Sequence, residues 1–164
     1  MAALLVTRYP ACFKAVAMHS GIPPGTAHST ISAMRAMYGQ RATKPGPATE
    51  SAVPAPWPPL LVIHGGVDKV VSSINAQAAA RLWADAAGAC AGATREVQRG
   101  KRYPMSVTEF KRHGVQVATL VEIARLGHAW SGGAASEQFS DDAGPDASRM
   151  VWAFVSRQFG AHLT

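Results

Sequence analysis

The stretch Leu60-Leu61-Val62-Ile63-His64-Gly65-Gly66-Val67-Asp68 decides the fold. Its first four residues are apolar without alternation, the pattern of a strand covered on both faces. Gly65 and Gly66 end the run and let the chain turn, and Asp68 stands in that turn. Residues 72–87 then carry Ile74, Ala78, Leu82 and Trp83 at helical spacing, with Ser72 or Ser73 expected as the cap and Gly88 as the stop. A buried strand, a tight turn and a helix in that order form part of a βα repeat, which builds a parallel sheet.

Upstream, residues 14–19 form a second short apolar run, bounded by Ser20-Gly21 and Pro23-Pro24, and predict another buried parallel strand. Residues 27–38 place Ile31, Met34, Met37 and Tyr38 at helical period. Residues 40–59 are a proline-rich linker without periodicity. Residues 1–6 are apolar on every side and have no N-cap ahead of them, so they read as a helix from the middle of a larger protein, closed by Tyr9-Pro10. Downstream, residues 105–112 and 115–123 flank His113-Gly114 and predict a β-hairpin. Residues 125–133 read as a loop. Residues 146–159 predict a final helix with Met150, Val151, Phe154 and Val155 on one face. The expected class is α/β, a mostly parallel sheet flanked by helices, in one domain over residues 1–164.

Composition narrows the function. The chain has 164 residues, 48% hydrophobic and 16% charged, which excludes a disordered polyelectrolyte and a coiled coil. No apolar run approaches the ~20 residues of a membrane span. The net charge is +6, but the basic residues are scattered, with no Lys/Arg helix and no aromatic-interleaved stripe, so we expect no nucleic-acid partner. The basic stretch 95–112 reads as a solvated hairpin edge. Cys12 and Cys90 have no metal-type spacing, and one disulfide or two thiols both fit. The first residues lack the basic start of a signal peptide.

Asp68 follows one predicted strand and His128 another, both where α/β sheets keep their active sites. Asp before His along the chain is the second part of the order Ser…Asp…His. In such a set the carboxylate holds the imidazole, and the imidazole takes a proton from a serine hydroxyl. Gly127 and Gly132-Gly133 leave room for backbone beside that site. His64 reads as a structural residue at the strand end. His64, Asp68 and His19 do not supply the three or four converging ligands a metal needs, so no metal and no organic cofactor are expected.

Three segments carry a resemblance: Tyr9-Pro10 with Phe13-Lys-Ala-Val-Ala-Met-His-Ser-Gly21, Pro59-Leu-Leu-Val-Ile-His-Gly-Gly-Val-Asp68, and Gly127-His-Ala-Trp-Ser-Gly-Gly133. Gly144-Pro-Asp-Ala-Ser148 fits the same pattern. Together they resemble the polyhydroxybutyrate depolymerase family of esterases, α/β hydrolases related to feruloyl and acetylxylan esterases. The resemblance implies that Asp68 is the triad acid and His128 the triad base. It also implies that Ser20 and Trp130 belong to the substrate pocket, that the substrate is an ester or polyester, and that the protein is extracellular. Two departures stand out. Gly66 occupies a place where the family commonly has Asp, and the chain contains no Gly-x-Ser-x-Gly nucleophile elbow. The chain is therefore expected to be the carboxyl-terminal part of such a hydrolase, an incomplete domain without nucleophile or oxyanion hole and inactive by itself. The alternative expectation is an inactive fragment or pseudo-enzyme that works by association, with the open sheet edge as the self-association surface.

Overall fold

The computed structural model describes residues 2–40 and 56–160. Most of the linker expected at 40–59 lies outside the described residues. In order, the elements are α1 (Ala2–Arg8), a 3-10 turn (Pro10–Cys12), β1 (Val16–His19), α2 (Thr30–Met37), β2 (Leu60–Gly65), α3 (Ile74–Ala87), β3 (Cys90–Ala91), β4 (Arg95–Val97), β5 (Met105–Arg112), β6 (Val115–Ile123), β7 (Trp130–Ser131), β8 (Ser140–Asp141) and α4 (Ala147–Gly160).

Every residue of β2 is buried, as its unbroken apolar run requires. It sits between β1 and β6, parallel to both, with Val16 opposite Leu60 and Leu60 opposite Ala118. β5 folds back antiparallel on β6, and β3 and β4 both pair with β5 at the far edge. The result is a mixed six-stranded sheet whose centre is parallel. On its outer side β1 has no partner among the described residues.

Period-two alternation sends β2 side chains to two cores. Leu60 and Val62 join Ala118, Leu120 and the α3 residues Ala76, Ala79, Ala80 and Trp83 on one face. Leu61 and Ile63 join Val121, Ile123, Leu126, Ala147 and Phe154 on the other. Each fully buried aliphatic or aromatic side chain contributes about 1.5–3 kcal/mol. Trp83 also has its one polar atom satisfied, since Nε1 donates to the Pro58 carbonyl at 3.0 Å.

Several ends differ from the sequence reading. The hydroxyl of Ser73 makes no capping bond, because Ser73 already has helical backbone; the N–H groups of Asn75 and Ala76 bond instead to the carbonyls of Ser72 and Ser73. Gly88 closes α3 in the left-handed conformation, as expected. α2 opens at Thr30 on a Ser29/Ser32 capping box, and its last carbonyls are held from afar: the buried amide of Asn75 donates to Ala36 and Met37. α1 runs on to Arg8 and buries only Ala3 and Val6, leaving Leu5 41% exposed, so it uses one face rather than all of them. The hairpin strands fall at 105–112 and 115–123 as predicted. β3, β4, β7 and β8 were not legible, because two or three residues carry no period. Cys12 and Cys90 are both free, exposed thiols. Among the described residues no helix is long and apolar enough to cross a membrane.

Candidate active site

The carboxyl ends of β2 and β6 are stitched together by backbone. Gly66 N–H donates to the Ile123 carbonyl at 2.8 Å and Val67 N–H to the Leu126 carbonyl at 3.1 Å. Gly65 makes this approach possible, since a Cβ there would land on the backbone carbonyl oxygens of Leu126 and Gly127. The turn that bears Asp68 and the turn that bears His128 are therefore one packed unit.

The Asp68 carboxylate has no solvent exposure. Its Oδ1 accepts the N–H groups of Val70 and Val71, each at 2.9 Å, and its Oδ2 accepts Nδ1–H of His128 at 2.8 Å. Burial pushes its pKa up. The Val71 N–H, the His128 bond and the Val70 N–H, aided by the charge of His128, outweigh burial and hold it below the ordinary carboxylate value. The anion fixes the His128 proton on Nδ1 and leaves the Nε2 lone pair free. His64 is fully buried. Its Nε2 donates to the Val71 carbonyl at 2.8 Å and lies 3.6 Å from Asp68 Oδ2, so it braces the turn that presents the acid.

The His128 side chain is one-third exposed and opens on a cleft of about 640 Å³ lined by His19, Ser20, Val70, His128, Ala129, Trp130 and Phe139. Ser20 follows β1 with a left-handed φ of 50°, and its hydroxyl is 3.2 Å from His19 Nδ1. Trp130 stacks on His19 with ring centroids 4.8 Å apart, and its Nε1 donates to Ser148 Oγ at 3.2 Å. Burial lowers the pKa of His19 to about 4, helped by the nearby His64 and His128 and opposed by Asp68. Phe139 meets the His128 ring edge-on at 6.4 Å.

The fold thus brings Asp68, His128, Ser20 and Trp130 to one end of the sheet. Ser131, by contrast, is buried in the backbone frame, donating to the Pro145 carbonyl at 2.6 Å. Gly127 has open space where its Cβ would be, so its turn does not demand glycine; Gly132, at φ 75° against Asp146, does. Sequence reasoning missed four lining residues: His19, which the sequence offers only as a metal-ligand candidate, Val70 and Ala129, which carry no chemical signal of their own, and Phe139, which lies in an irregular segment with nothing to mark it. Among the described residues no three His, Cys, Asp or Glu side chains converge on a metal-sized site.

A mixed α/β sheet with helices packed on it, and an Asp–His pair beyond the ends of its parallel strands, has the fold class of an α/β hydrolase. The chain belongs to the Esterase PHB depolymerase family, whose model matches residues 1–102. Membership places it among carboxylic ester hydrolases. The matched stretch takes in Ser20 and Asp68 and ends before His128. No curated protein matches the chain.

Proposed function

We propose that this chain supplies the acid and the base of a serine-type ester hydrolase, Asp68 and His128. The observation that carries the reading is the 2.8 Å bond from His128 Nδ1 to a solvent-excluded carboxylate, with the other ring nitrogen left free beside an open cleft. In that arrangement His128 Nε2 takes the proton of an attacking serine hydroxyl as the oxygen adds to the ester carbonyl. The imidazolium, stabilised by Asp68, then gives the proton to the departing alkoxide. Water enters by the same route to release the acid. No organic cofactor enters these steps. Val70, Trp130 and Phe139 offer the acyl or alkoxy chain an apolar wall, and Ser20 a hydroxyl.

The sequence holds no Gly-x-Ser-x-Gly, so the nucleophile and the oxyanion donors belong to a segment outside these 164 residues, and the chain alone is inactive. An ester or polyester is the substrate class. An extracellular setting belongs to the same proposal and rests on the family resemblance alone. The test is hydrolysis of p-nitrophenyl butyrate by the chain, by its His128→Ala variant, and by the chain joined to a segment bearing the elbow. We expect activity only in the joined protein. Burst kinetics and serine-directed phosphonate labelling of the chain alone would sink the reading and point to Ser20.

One observation favours a second reading, association. The outer edge of β1 is unpaired among the described residues, and Leu5, Tyr9 and Phe13 are exposed on the neighbouring α1 and the turn after it. Sedimentation should then show self-association of the chain; a monodisperse monomer would exclude it.

A further inference from the structure

A second cavity of about 420 Å³ lies between the β4–β5 connection and the first turns of α4, and it shares no lining residue with the His128 cleft. Its walls are of two kinds. Met105, Pro145, Met150 and Ala153 are apolar; Arg99, Arg102 and Arg149 are three basic residues, against one acidic residue, Asp146. Asp146 Oδ1 accepts the backbone N–H of Arg149 at the start of α4, so the three basic residues outnumber this one carboxylate. None of the three arginines has a carboxylate partner among the described residues. The chain around them is organised rather than loose. Arg102 N–H bonds to the Arg99 carbonyl across a turn with Gly100 in the left-handed region. The Arg102 guanidinium donates to the carbonyls of Asp142 and Gly144, which fixes where it points.

Like charges gathered around one apolar hollow repel each other, and a bound anion removes that cost. A guanidinium is planar and presents paired N–H donors that match a carboxylate. An apolar floor favours an anion with a hydrocarbon body over a fully hydrated one, and the volume lies within the range of small-molecule sites. We propose that this cavity binds an amphipathic monocarboxylate, its carboxylate held by Arg99 and Arg149 beside the fixed Arg102 and its short hydrocarbon body lying on Met105 and Met150. The wall residue Pro145 accepts the Ser131 hydroxyl, so an occupied cavity touches the frame of the His128 loop. The inference does not depend on the roles proposed for Asp68 and His128.

The experiment is a calorimetric titration of the full chain with hexanoate, hexanol and inorganic phosphate, repeated with R99A/R149A. Methyl NMR of Met105 and Met150 locates the ligand. We expect saturable hexanoate binding that perturbs both methyls, with hexanol and phosphate each weaker by about tenfold or more and the double variant weaker by about a hundredfold, the value of two lost charge-assisted bonds. Raising the salt should weaken hexanoate alone among the two organic probes. Equal binding of hexanol, equal binding of phosphate, unchanged affinity in the double variant, or no hexanoate binding while the thermal melt is normal would each overturn the proposal.

Discussion

Two strands that flank β2 in the same sheet lead to histidines in opposite surroundings. Beyond β2 and β6, both Asp68 oxygens and His128 Nδ1 have partners, and His128 keeps one nitrogen for solvent. Beyond β1, His19 is pressed under Trp130, its Nε2 is buried without a partner, and the next residue, Ser20, is held in a left-handed backbone. His128 has a carboxylate bonded to its ring; His19 has burial, which lowers its pKa. A histidine at the end of a parallel strand is therefore not by itself paired with a carboxylate. Asp68 follows β2, which adjoins both β1 and β6, and what separates the two histidines is the direct 2.8 Å bond that Asp68 makes to His128 and not to His19.

The largest expected effect removes that acid. In the protein joined to an elbow segment, Asp68→Asn should lower kcat by about ten-thousandfold through the wrong His128 tautomer, while His19→Gln changes it far less. Comparable losses in both variants would erase the distinction between the two sites. Next comes the wedge between the strand ends. Gly65→Ala drives a methyl into the carbonyls of Leu126 and Gly127 and should cost about 3 kcal/mol by urea denaturation, with the Asp68–His128 proton signal shifted by NMR.

Acid should separate the sites by pH. His19 is neutral in the fold down to a pKa of about 4, whereas the unfolded chain binds its proton near 6.5, so stability falls between those values by an amount on the order of 2–3 kcal/mol. Asp68 has a lowered folded pKa, so its contribution is present above the unfolded carboxylate value and is lost only as pH falls further, through the folded one. In a pH series of denaturation curves, His19→Gln should flatten the upper limb and leave the lower limb intact. The smallest effect is expected for Ser20→Gly. Relief of the left-handed φ and loss of the bond to His19 are each worth about 1 kcal/mol and opposite in sign, so the melting temperature should barely move. A large drop would show that the Ser20–His19 bond anchors the wall.

The strong elements were readable because their signals are local. The unbroken run at Leu60 to Ile63 needs two covered faces, and His113-Gly114 between alternating runs needs a hairpin, whatever surrounds them. Asp68 and His128 could be paired only as members of an ordered motif, since 60 residues separate them. Nothing local announced Asn75 as the cap of α2, because an amide on one helix cannot be assigned to carbonyls 38 and 39 residues away. Phe139 and Val70 were invisible for the same reason, and the serine cap on α3 failed because Ser73 itself takes helical backbone.

By itself the sequence determined the kinds and order of the longer elements, the buried centre of the sheet and the strand ends after which Asp68 and His128 stand. Hydrophobic period and turn chemistry act over a few residues and leave that record in the chain. Only the tertiary structure decided that Asp68 is desolvated and aimed at His128, that His19 lies neutral beneath Trp130, and that three dispersed arginines meet over one apolar hollow. Those are matters of distance between residues remote in sequence, and the electrostatics of each group follow from the neighbours that folding supplies.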